Sequence, residues 1–346
     1  MARRALAQMR RFAFTEALQR ALTRRSAAAL VGAAVWLAVR CAAADPACPP
    51  VVAPPTAEEA RAAVQTARDR GALWTIEKDA RRSWLYGTIH VGNLEMAALG
   101  PKVRAALTAA QVLAIEVDVT SAATVRAFSA PPPPDAPAVP PALVERMKAL
   151  AAKACVPWEP LSSRPPMIIA SALTILESRR DGLDPAFATE FVLSGFARAK
   201  GMPVVALESV ETQRRAMIGP PAADQFRALE GAISAIEQDR VRPTARALAK
   251  AWSDGDLATL ASYEQWCGCA GSPQAKAYLD HLVFARNEGL AAAVDRLHGE
   301  GRSVFAATGI LHMVGDGGLP RRLEKLGYTV ERVAFDAPPA ADRDRR

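Results

Sequence analysis

Ser83-Trp84-Leu85-Tyr86-Gly87-Thr88-Ile89-His90 is an apolar run that ends in Gly-x-x-His, and Phe305-Ala306-Ala307-Thr308-Gly309-Ile310-Leu311-His312 repeats the device near the other end of the chain. Each reads as a strand that exits at a glycine, where the backbone is free to turn or to approach a ligand closely, and presents an imidazole three residues on. The pair uses two of the four histidines in the chain. Histidine is the side chain best suited to metal ligation and to proton transfer near neutral pH. In open α/β sheets, ligands bind beyond the carboxyl ends of the strands, which is where both imidazoles would sit. Either histidine alone is equally well explained as a turn residue bonded to backbone; the repetition is what points to a site.

Working outward, Ala72–Glu77 and Trp84–Tyr86 alternate as two strands of a hairpin turning near Asp79–Arg82. Thr56 caps a helix that runs to Arg70 and stops at Gly71. A helix over Pro101–Ala110 leads into Val112-Leu113-Ala114-Ile115-Glu116-Val117-Asp118, apolar until its end, as expected of a strand covered on both faces. The seven prolines between Ala130 and Pro141 exclude helix and interior strand. Helical spacing dominates from Ala142 to Arg215, interrupted by a short strand over Met202–Glu208, and resumes over Ala222–Asp254 and Ser272–His298. The chain closes with strand Val304–Thr308, helix Leu319–Leu326 and strand Tyr328–Val333. The fold class is therefore α/β, with a central mixed sheet flanked by helices and a largely helical middle region. Gly315-Asp316-Gly317-Gly318, just before a helix, suits either an anion cradle or a flexible turn.

Half of the 346 residues are hydrophobic, enough for a large core, and the net charge is +7. That charge does not indicate a nucleic-acid partner. Up to Ala44 the chain carries eight arginines against the single acid Glu16, which accounts for all of it and leaves the remainder formally neutral. The arginine-rich start runs into the apolar stretch Ala27–Val39, too short to span a bilayer comfortably, and then into Cys41-Ala42-Ala43-Ala44 with the small residues of an A-x-A cleavage site. Residues 1–44 thus read as a signal peptide, 45–71 as a tether and helix, 72–335 as the main domain and 336–346 as a flexible tail. A periplasmic or secreted location follows, with no stable transmembrane anchor. Cleavage leaves Cys48, Cys155, Cys267 and Cys269, an even number that reads as two disulfides in an exported protein. Since a bond between Cys267 and Cys269 would be strained, each is expected to pair with Cys48 or Cys155.

Glu116 ends a buried strand, and a buried carboxylate needs a cation, a metal or backbone donors. Arg286 supplies the plainest answer, an ion pair that does no chemistry. Glu208 also stands at a strand end, or else begins a solvated loop.

Leu73-Trp74, Leu85–Gly92, Ala114–Asp118, Leu207-Glu208, Arg286-Asn287, Thr308–His312, Gly318-Leu319 and Gly327-Tyr328 together resemble the TraB/GumN family, in the right order and over most of the chain. The polar marks of that family, two Gly-x-x-His motifs, a glutamate and an arginine, fall on Gly87/His90, Gly309/His312, Glu116 and Arg286. The resemblance implies a fold related to the erythromycin-esterase/ChaN-like group. Its relatives include the TIKI proteins, metal-dependent proteases acting on Wnt, while the GumN branch is linked by name to polysaccharide gene clusters.

The reading that follows is an exported hydrolase of the metal-dependent peptidase kind, acting on a peptide or glycan-related substrate. His90, Glu116 and His312 would ligate a divalent manganese, cobalt or zinc ion and Arg286 would stand beside them as a fourth catalytic residue. Two alternatives stay open: an esterase-like hydrolase in which His90 or His312 is a general base without metal, and an envelope protein that binds a glycan or peptide without turnover.

Overall fold

The strands that carry the two motifs lie side by side in one sheet. In a computed structural model, which describes residues 48–219 and 222–336 apart from the side chains of 222–225, six strands are ordered β4-β3-β5-β2-β1-β6. They are β1 Ala72–Lys78, β2 Arg81–Thr88, β3 Val112–Ile115, β4 Val204–Ala206, β5 Val304–Gly309 and β6 Thr329–Arg332. β4, β3, β5 and β2 are mutually parallel, while β1 runs antiparallel to both β2 and β6. The sheet is mixed and flanked by helices, as the spacing predicts. The proposed leader over 1–44, with Cys41, and the tail beyond Asp336 lie outside the described residues. The chain divides into Met1–Cys48 and Pro49–Arg346, and the sheet with all its helices belongs to the second unit.

The central strands read as continuous apolar runs because helices cover both faces of the sheet. Val112, Leu113, Ala114 and Ile115 of β3 and Val304 to Ala307 of β5 are almost wholly removed from water. The hairpin joining β1 to β2 turns on Asp79 and Ala80, both at positive φ, the backbone a two-residue turn requires. Thr56 caps the helix Ala57–Gln65 through a reciprocal bond with Glu59, which ends sooner than its spacing suggests.

Two long helical patterns are broken, the first just before Pro243 and the second where neither glycine nor proline marks a stop. The stretch from Ala222 to Asp254 divides into Ala222–Glu237 and Val241–Asp254, with Asp239 at positive φ between them. The stretch from Ser272 to His298 divides into Pro273–Leu282 and Asn287–Gly299, joined by a tight turn over Phe284–Arg286. The helical middle region has its own apolar cluster, in which Met147, Leu150, Met167, Leu173, Leu229 and Ile233 pack together. Among the described residues no helix is long and apolar enough to cross a membrane.

The cysteine pairing differs from expectation. Cys267 bonds to Cys269, with their Cα atoms 5.1 Å apart, and Cys48 and Cys155 are disulfide-bonded as well. Gly268 between the first two has φ +65°, a left-handed turn with which the Cα atoms of Cys267 and Cys269 fall within the ordinary range for a disulfide.

Candidate functional site

Four neighbouring parallel strands deliver the polar residues at their carboxyl ends. β2 runs out to His90, β5 into the single turn Ile310–Met313 that carries His312, β3 to Glu116 and β4 to Glu208. Pairing continues past the strands, because Leu207 N–H donates to the Ile115 carbonyl and Glu208 N–H to the Glu116 carbonyl at 2.8 and 3.1 Å. The two carboxylates are thereby set beside each other.

Arg286 joins them. Its Nη2 donates to Glu116 and to Glu208, and its Nε donates to Glu208 Oε2 at 3.1 Å. The helix break fixes it there, since Nη1 donates at 2.8 Å to the carbonyl of Leu282 at the end of the preceding helix. All three side chains are at least nine-tenths buried. The ion pair expected for Glu116 is present, but as one arm of a Glu116–Arg286–Glu208 bridge. Gly309 N–H donates to Glu116 Oε1 at 2.8 Å and Gln213 Nε2 to Oε2 at 2.9 Å. Burial alone would raise the Glu116 carboxyl, but the neighbouring His312, Arg286 and His90, with the Gly309 N–H, hold it well below the usual carboxylate range. Burial pushes Glu208 up, against the pull of Arg286.

His312 is 5% exposed, and its Nδ1 lies 2.6 Å from Asn287 Oδ1. Asn287 is fully buried, and its Nδ2 donates to the Gly317 carbonyl at 2.8 Å, so the amide oxygen is turned to the imidazole. Nδ1 of His312 therefore carries the proton and Nε2 the lone pair. Burial lowers its pKa to about 4, so the ring is neutral near neutrality and the charge acting on Glu116 there comes from Arg286 and His90. Nε2 lies 3.5 Å from Arg286 Nη1 and 3.9 Å from Glu116 Oε1. The glycine run before the last helix thus helps to aim a histidine by way of Asn287.

His90 is the opposite case. Its side chain is 62% exposed, and its Nδ1 lies 2.9 Å from Glu190 Oε1. The Glu190 carboxylate outweighs desolvation and lifts its pKa to about 9.

The two imidazoles and Glu116 converge. A Cβ built on Gly309 would lie 3.6 Å from Glu116 Oε1 and 3.7 Å from both His312 Cδ2 and His90 Nε2. The rings thus stand no more than twice that distance apart, around a point that is clear because residue 309 has no side chain. Gly87 has a different reason: its Cβ would meet Ile310 Cδ1 at 2.1 Å, so the second motif packs down on the first.

The residues 72–332 match the model of the TraB/PrgY/gumN family. The chain belongs to that family. No curated protein and no solved structure matches it. Gln213 and Glu190, both on helices, carry no mark of a site in the sequence. Glu190 occupies the first turn of Thr189–Ala199, where an acid is ordinary because it favours the helix dipole, so nothing marked it.

As the side chains lie, no group of three or more His, Cys, Asp or Glu among the described residues encloses a metal position. A shared ion would need Glu116 or an imidazole to turn toward it. The residue types otherwise fit: both imidazoles are anchored through Nδ1, the second-layer arrangement of metal-ligating histidines, and the clear point over Gly309 is faced by Glu116 Oε1, His90 Nε2 and the ring edge of His312. Two carboxylates, Glu116 and Glu208, share the Arg286 guanidinium, and a third, Glu190, pairs with His90. A dication bound there would displace the proton that Glu190 holds on His90 and take over its charge.

Proposed function

We propose that this chain is an exported hydrolase that activates water over Gly309, with a divalent ion held by His90, His312 and Glu116. The observation that carries the reading is the convergence of these three side chains on the point that Gly309 leaves clear. Such an ion, when bound, would acidify a water molecule into a nucleophile. The protein's own part is to aim and to balance charge. Asn287 orients the His312 ring, Glu208 and Gln213 hold Arg286 and Glu116, and Arg286 offers fixed positive charge for an oxyanion. The leader over 1–44 supports export, and a peptide or glycan-related substrate is the class proposed.

A second reading keeps the fold and drops the ion. His312, neutral and with a lone pair on Nε2, would be the general base, and His90, which retains its proton, the acid. The observation favouring it is that the two environments drive the pKa values apart, to about 4 and about 9.

Metal content of the purified protein, together with hydrolysis of a peptide and ester panel before and after chelation, tests both. One ion per chain and chelation-sensitive turnover are expected. Replacing His90 or His312 by Gln should each abolish binding, with the double variant little worse, because ligands of one ion act as a unit. Turnover that survives chelation supports the second reading. Binding of glycan or peptide without turnover under any metal would overturn both.

A further inference from the structure

We infer that Glu190 is the positioning residue for His90: it accepts a hydrogen bond from Nδ1–H and so aims Nε2 at the point over Gly309. The inference rests on the hydrolase reading for its purpose, but not for its geometry.

A ring as exposed as His90 has little packing to hold it, so its hydrogen bond to Glu190 does most to select its orientation. Glu190 is itself only 12% exposed, and its position is set by a clamp one residue away. Thr189 N–H donates to the Ile89 carbonyl at 3.0 Å, and Ile89 N–H donates to Thr189 Oγ1 at 2.8 Å. This two-way bond staples the start of helix Thr189–Ala199 to the exit of β2, directly between Thr88 and His90. Thr88 Oγ1 donates to Glu190 Oε1, the same oxygen that faces His90 Nδ1. Three successive residues of the first Gly-x-x-His motif are therefore tied to two successive residues of one helix.

The unused oxygen carries the argument further. Glu190 Oε2 is buried and takes no hydrogen bond among the described residues. A buried carboxylate oxygen without a donor costs stability, so this acid is poorly explained as a prop for the fold. His90 is the cationic group it faces directly; Glu116 and Arg286 act on the same ring from the strand β3 end and from the helix break. A carboxylate bonded to one imidazole nitrogen leaves the other to act, as base, acid or ligand.

The test is nitrogen-15 histidine NMR on the metal-free full chain, with the His90 signals assigned by their loss in His90→Gln. A downfield Nδ1 proton protected from exchange is expected for His90, unusual for a ring open to solvent. It should vanish in Glu190→Ala and persist in Glu190→Gln, whose amide oxygen still accepts. If Glu190→Ala does not fold, Glu190→Asp, one methylene shorter, should show the same loss. Absence of the protected proton in the unaltered protein, or its persistence in Glu190→Ala or Glu190→Asp, would overturn the inference. For a chain that binds metal, Glu190→Ala should also weaken affinity about 10–100-fold, and unchanged affinity would remove the positioning role. If the unaltered protein binds no metal, the metal reading fails while the proton signal still decides the role of Glu190.

Discussion

The first and second Gly-x-x-His motifs have the same pattern and opposite chemistry. At the first, His90 is open to water and keeps its proton beside Glu190; at the second, His312 is buried, bonded to an amide and stripped of its proton. The glycines differ as well. Gly87 is needed because Ile310 packs on it, whereas Gly309 stands where a side chain would enter the site. A repeated motif thus supplies two imidazoles, and their surroundings assign each a different task.

The comparison can be broken most severely on the side of the second motif. Arg286→Met would leave Glu116 and Glu208 buried without their cation, and the loss expected is about 3–5 kcal/mol. Urea denaturation measures it. The His90–Glu190 pair should survive in whatever folded protein remains, and a loss below about 1 kcal/mol would show that the two carboxylates are not held by Arg286.

A pH series sharpens the contrast. Folded His312 resists a proton that the unfolded chain accepts, so its contribution to stability is lost as pH falls from its ordinary value of 6.5 through about 4. Folded His90 retains a proton that the unfolded chain gives up, so its contribution is present below 6.5 and lost as pH rises through about 9. In metal-free protein, His312→Gln should flatten the acid limb, by up to about 3 kcal/mol at its extreme, and His90→Gln the alkaline limb by less, since that ring is exposed. Identical stability profiles for the two variants would remove the asymmetry.

The glycines provide the smallest effect and the cleanest separation. Gly87→Ala should cost about 1–3 kcal/mol through its clash with Ile310. Gly309 has φ −48° and ψ 138°, which alanine adopts freely, and the added methyl would make only ordinary contacts. Gly309→Ala should therefore melt no lower than the unaltered protein, and up to about 1 kcal/mol of added stability is expected, while metal binding and turnover are lost. Full function in Gly309→Ala would remove the site from the point over Gly309.

The amino-acid sequence alone determined the strands, because apolar periodicity is a local property: all six strands, β1 to β6, and the hairpin are legible in it, as are His90, Glu116, Arg286 and His312 as the residues to join. Periodicity could not show where a helix breaks without glycine or proline, so the turn that aims Arg286 at two carboxylates was invisible. Nor could it reveal that a left-handed Gly268 lets Cys267 reach Cys269. Glu190, Gln213 and the service of Asn287 to His312 emerge only when distant segments meet, and so does the division of labour between the two histidines. Charge state depends on burial and on neighbours across the fold, and those are set by packing rather than by any residue's place in the chain.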